Sequence, residues 1–143
     1  YLNINLDNTN QIVAGASMGG LMSMKTSILF PQFRNIISLS PAFWFGYPSV
    51  LHDIKNLSNE SSTYLYTGKK EGHIFGDHVK NIFPNNWDLD FSNNDDFYYS
   101  GVKNIKDSFD SNNKKVIFSF QDNGRHNETS WATAILEILG KLI

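Results

Sequence analysis

Short runs dense in apolar residues alternate along the chain with longer stretches in which apolar positions recur every three or four residues. The runs are Gln11–Ala14, Asn35–Ser40, Thr63–Thr67 and Val116–Phe120; Gly15, Pro41 and Gly68 close the first three. Their length and β-branched or aromatic content predict four strands. Between them, Leu21 to Phe30 reads as a helix stopped near Pro31, and Leu51 to Leu57 as a short one. From Asn94 to Asp110, Phe97, Val102, Ile105 and Phe109 fall at helical spacing behind Asn and Asp capping candidates. Thr129 to Leu142 places Trp131, Ile135, Ile138, Leu139 and Leu142 on one helical face. Strands alternating with helices of these lengths predict βαβ units and a parallel sheet, so the expected class is α/β.

Composition narrows the function classes. With 41% apolar and 18% charged residues over 143 positions, the chain fits one folded domain. A net charge of -2 leaves no basic face for nucleic acid and no polybasic patch for an anionic membrane. There is no cysteine, which excludes disulfides, a thiolate nucleophile and Cys-ligated zinc. The uncharged stretch from Ile12 to Met24 is short for a membrane span and is broken by Gly15, Gly19 and Gly20. No repeat is found, and the Asn-Asn pairs at 85–86, 93–94 and 112–113 read as caps and turns. Nothing in the sequence assigns a compartment.

The chemistry begins at Gly15-Ala-Ser17-Met-Gly19, between a predicted strand and a predicted helix. A strand that turns abruptly into a helix brings backbone two residues either side of the turn into close approach, which predicts a need for glycine at both flanking positions. The serine hydroxyl then projects at a helix N-terminus, where the Met18 N–H and the helix dipole favour a developing oxyanion. Gly20 is expected where the helix packs closely on the sheet.

A serine nucleophile needs an imidazole, and the chain offers His52, His73, His78 and His126. In hydrolases with such an elbow the order is serine, acid, histidine, with the histidine after the last strand. His126, six residues beyond Phe120 and just before the last predicted helix, fits that order. The acid is expected after the third strand, where Glu71 is the first candidate and Asp77 the second.

Other features are weaker. Glu71, His73, Asp77 and His78 crowd together, but His73 and His78 lie five apart, off the helical zinc spacing, so no metal and no cofactor is expected. The acidic stretch 88–96 lacks the glycine and distal glutamate of a calcium loop and reads as a helix start. Phe43, Trp44, Phe45 and Tyr47 follow the second strand, where substrates bind in open α/β sheets. Phe43 and Trp44 are the candidates for a substrate pocket.

Taken together, Gly15-Ala-Ser-Met-Gly-Gly-Leu21, Ser40-Pro-Ala-Phe-Trp44, Gly68-x-x-Glu71 and Gly124-x-His-Asn-Glu-x-x-x-Trp131 resemble the putative-esterase family of α/β-hydrolases. That group includes enterochelin (siderophore) esterases, feruloyl esterase modules and mycolyltransferases. The resemblance implies a small-molecule ester as substrate, with Ser17 as nucleophile, His126 as base and Glu71 as acid. It also implies that residues 1–143 are the C-terminal half of the fold, with four strands expected before the elbow strand. The missing half, or a second copy of the chain, is then expected to cover an exposed sheet edge. The second oxyanion donor is expected from that missing half, and losing one such donor costs about 10²–10³ in rate. Residues 73–96 read as an insertion over the site. Acyl transfer by the same three residues, and a non-catalytic binding module on the same fold, are the competing functions.

Overall fold

The computed structural model describes residues 11–77, 79, 83, 89 and 91–142, with backbone alone at 141 and 142. Four strands, β1 (Gln11–Ala16), β2 (Phe33–Leu39), β3 (Ser62–Gly68) and β4 (Lys115–Gln121), form one sheet in the order β1-β2-β3-β4. All neighbouring pairs are parallel, with Val13 beside Ile36, Ile36 beside Thr63 and Leu65 beside Phe118. The helices are α1 (Met18–Leu29), α2 (Ser49–Asp53), α3 (Asn94–Ser111) and α4 (Glu128–Leu142). The expected short helix at 51–57 is instead α2 continued by a single 3₁₀ turn, Ile54–Asn56.

Side chains alternate across the strands, and the two faces are covered unequally. On one face Val13, Ile36 and Leu65 meet α1 through Leu21 and Met24 and α3 through Phe97, Val102, Ile105 and Phe109. On the other face, among the described residues, α4 lays Trp131, Ala134, Ile135 and Ile138 over Ile37, Leu39, Tyr64 and Tyr66. Ala16 of β1 also packs there, while Ile12 of β1 is 45% exposed; Met22 on α1 is 49% exposed. Among the described residues no helix is long and apolar enough to cross a membrane.

Local chemistry sets the helix boundaries. Asn93 caps α3 by accepting the Asp96 N–H at 2.9 Å, and Asp95 and Asp96 sit in the first turn, where negative charge opposes the helix dipole favourably. The acidic stretch is a helix start as far as it is described; Asp88 and Asp90 lie outside the described residues. Gly101 lets α3 approach the loop after β2, because a Cβ there would stand 2.0 Å from the Phe43 ring. That contact corrects one expectation. Phe43 is fully buried beneath α3, so it belongs to the core and not to a substrate pocket.

The described residues of 73–96 are not all polar. Phe75, Val79, Phe83, Leu89 and Phe91 all pack against the main core cluster, and Asn94 ties it down by accepting the Val79 N–H at 2.9 Å.

Candidate active site

Every strand delivers something at its carboxyl end, where open parallel sheets gather their functional groups. Ser17 follows β1, Ser40 follows β2, Glu71 lies three residues past β3, and His126 lies in the loop between β4 and α4.

Ser17 occupies φ 56°, ψ -122°, a backbone region that non-glycine residues rarely adopt. Its N–H donates to Leu39 O at 2.9 Å and its carbonyl accepts from Ala42 N–H at 3.0 Å, which hold the turn against β2 and the loop beyond it. The glycines around it are not equivalent. A Cβ on Gly15 would lie 2.2 Å from the Gly19 carbonyl oxygen, and one on Gly20 would lie 2.8 Å from Leu39 O. A Cβ on Gly19 meets nothing within 4 Å. The expected need for glycine on both sides of Ser17 is therefore corrected: Gly15 and Gly20 carry the steric requirement. Gly15→Ala should lower the unfolding free energy by about 1–3 kcal/mol through overpacking. Gly19→Ala should leave it unchanged or raise it by up to about 1 kcal/mol, since alanine favours the helix. Urea unfolding of the two variants checks this difference.

The His126 loop is held by identifiable contacts. Asn127 caps α4 by accepting the Ser130 N–H at 3.0 Å, and Ser130 Oγ accepts the Arg125 N–H at 3.0 Å. Lys70 N–H donates to Gly124 O at 3.0 Å, joining this loop to the turn that carries Glu71. The approach is so close that a Cβ on Gly68 would fall 2.2 Å from Gly124 O.

These supports bring three side chains into line. His126 Nε2 lies 2.8 Å from Ser17 Oγ, and His126 Nδ1 lies 2.8 Å from Glu71 Oε2. Glu71 is completely buried, and its Oε1 accepts the Ser40 hydroxyl at 2.7 Å and the Gly68 N–H. The imidazole is walled by Trp131, edge-on at 4.9 Å, and by Tyr98 at 5.4 Å. Burial, then the negative charge of Glu71, holds the Tyr98 hydroxyl well above the usual tyrosine range. The same two causes, in the same order, push Tyr66 up to about 12. Both phenols are neutral hydrogen-bond donors at ordinary pH: Tyr98 donates to Ser40 O at 2.6 Å and Tyr66 to Gln121 Oε1 at 3.1 Å.

The arrangement has the geometry for nucleophilic catalysis. A proton leaving Ser17 has an acceptor in Nε2 when Nδ1 carries the proton shared with Glu71. Met18 is the first residue of α1, so its N–H has no intrahelical partner and stands beside Ser17.

Ser17, His126, Glu71 and Met18 are thus brought together. Asp77 is not: it is exposed, and Glu71 takes the place on His126. Exposed His73 has its Nδ1 3.1 Å from Lys70 O, exposed His52 lies in the last turn of α2, and His78 lies outside the described residues. Among the described residues no three His, Asp or Glu side chains converge as metal ligands. Trp44 is half-buried in an aromatic cluster, 4.9 Å from the Phe75 ring and 5.3 Å from that of Tyr98. An open cleft of about 580 Å³ lies next to the loops that carry Glu71 and His126, lined by Lys70, His73, Asn93, Asn94, Asp95 and Arg125, though by none of the three aligned side chains. Sequence reasoning gave no role to Ser40 or Tyr98. The available signal for Ser40 was its place just past a strand end, the position that made Ser17 conspicuous.

No family model matches the chain, and no curated protein sequence matches it. Among solved structures, a ferulic acid esterase superposes with a TM-score of 0.63 at 12% identity, over 93% of this chain and 50% of the esterase chain. The chain spans about half the length of the structure it matches. At that identity the likeness establishes the fold alone: a four-stranded parallel sheet with flanking helices, part of an α/β-hydrolase-like fold.

Proposed function

We propose that this chain carries the nucleophile, base and acid of a serine-dependent carboxylic-ester hydrolase. One observation carries the reading: Ser17, held at φ 56° on a strand-to-helix turn, stands 2.8 Å from an imidazole whose far nitrogen meets a buried carboxylate.

In this mechanism Ser17 Oγ attacks the ester carbonyl carbon while His126 Nε2 takes the hydroxyl proton. The carbonyl oxygen becomes an oxyanion facing the Met18 N–H and the positive end of α1. Glu71 holds the Nδ1 proton in place and balances the imidazolium. The C–O bond to the alcohol then breaks, His126 gives its proton to the leaving oxygen, and an acyl group remains on Ser17. Water, deprotonated by His126, attacks that acyl group, and the carboxylic acid and free serine are restored.

Feruloyl-type aromatic esters are the substrate class favoured here, with siderophore esters the other member of the proposal. The named structural neighbour is a ferulic acid esterase, and the half-buried Trp44 packs on Tyr98, whose ring lies 5.4 Å from the His126 imidazole. The 45% exposure of Ile12 on β1 and the half-length match support a domain whose remaining strands lie outside these residues and supply the second oxyanion donor. The test is pre-steady-state hydrolysis of an aryl hydroxycinnamate. The expected result is a burst of released alcohol stoichiometric with protein that is absent from Ser17→Ala; a burst that persists in Ser17→Ala contradicts it.

A further inference from the structure

Among the described residues Glu71 is the only charged side chain in the fully buried set, and His126 is its only ion-pair partner. A buried carboxylate needs donors on its other lone pairs. One is the Gly68 N–H and the other is the Ser40 hydroxyl, both on Oε1, which leaves Oε2 to His126.

The direction of the Ser40 proton is fixed by its second partner. Trp131 Nε1 lies 3.0 Å from Ser40 Oγ. An indole N–H only donates, so Oγ accepts there and its single proton must go to Glu71. The Ser40 backbone is also held in an unfavourable place: φ is 43°, its N–H donates to Tyr66 O at 2.7 Å, and its carbonyl accepts the Tyr98 hydroxyl at 2.6 Å. Glycine would be at ease at this φ but would lack the hydroxyl. The residues that fix Ser40, Trp131 and Tyr98, are the same two that wall the imidazole.

We propose that Ser40 is a positioning residue, whose hydroxyl, aimed by the Trp131 indole, holds the Glu71 carboxylate with Oε2 turned to His126. This rests on the catalytic reading of Ser17, His126 and Glu71, and Ser40 acts through Glu71 without touching the reacting atoms.

Two variants test it in the intact protein. Ser40→Gly removes the hydroxyl where the backbone favours glycine, and Trp131→Phe removes the N–H while keeping an aromatic ring beside His126. The primary readout is the downfield proton resonance of the His126 Nδ1–H bonded to Glu71; the second is the rate of fluorophosphonate labelling at Ser17. In Ser40→Gly the resonance should move upfield and exchange faster, with labelling slowed about tenfold, the loss of one hydrogen bond to a charged group. Trp131→Phe should change both readouts in the same direction and by less. An Nδ1 resonance unchanged in Ser40→Gly overturns the proposal. Native protein that shows the resonance but does not label overturns the catalytic reading instead, and the resonance still decides the role of Ser40.

Discussion

His126→Ala should lower ester turnover by about 10⁶-fold in the intact protein, and adding Ser17→Ala should lower it no further. The two residues act as one unit. Without an acceptor 2.8 Å from Oγ, the hydroxyl stays protonated and attacks no faster than a free alcohol; without the hydroxyl, the imidazole has nothing to activate. His126 is partly exposed and sits in a loop already fixed by Asn127, Ser130 and Gly124, so the alanine variant should keep its fold. Paired turnover and thermal-unfolding measurements separate lost chemistry from lost structure. Additive losses in the double variant would contradict a shared unit.

The second large effect concerns Glu71→Gln, expected to lower turnover by about 10⁴-fold with little change in fold, the size seen when the triad acid of a serine protease becomes an amide. The reason is specific to this site. Both partners of Oε1, the Ser40 hydroxyl and the Gly68 N–H, are donors, so the oxygen of the introduced amide must take that position. The amide NH₂ then faces His126 Nδ1, which is forced to accept. The ring proton moves to Nε2, and the nitrogen beside Ser17 can no longer take a proton. A Glu71→Gln variant with native turnover would show that the carboxylate does not set the tautomer.

Much of this was legible in the sequence because each piece has a local cause. The four apolar runs have the length and β-branched or aromatic content of strands, and the glycine-flanked serine falls between a strand and a helix. A lone histidine before the last helix then completes the order. What was not legible depends on contacts between distant residues. Gly15 and Gly19 look alike in sequence, and only the approach of α1 to β1 and β2 separates them, together with Gly20. Phe43 and Trp44 are adjacent, yet the missing side chain at Gly101 lets α3 close over the first and leave the second half-open. Ser40 reads as an ordinary serine before Pro41; its meaning comes from Trp131, 91 positions away. Phe75, Phe83 and Phe91 are spaced too irregularly in sequence to show that they pack on Phe97 of α3.

The central claim is an acyl-enzyme on Ser17. Its most direct test is mass spectrometry of the intact protein quenched in acid during the burst with an aryl hydroxycinnamate, followed by peptide mapping. The expected result is a single added hydroxycinnamoyl mass, located on the peptide containing Ser17 and absent from Ser17→Ala. Burst-phase protein with no added mass, or with the acyl group on another residue, contradicts it.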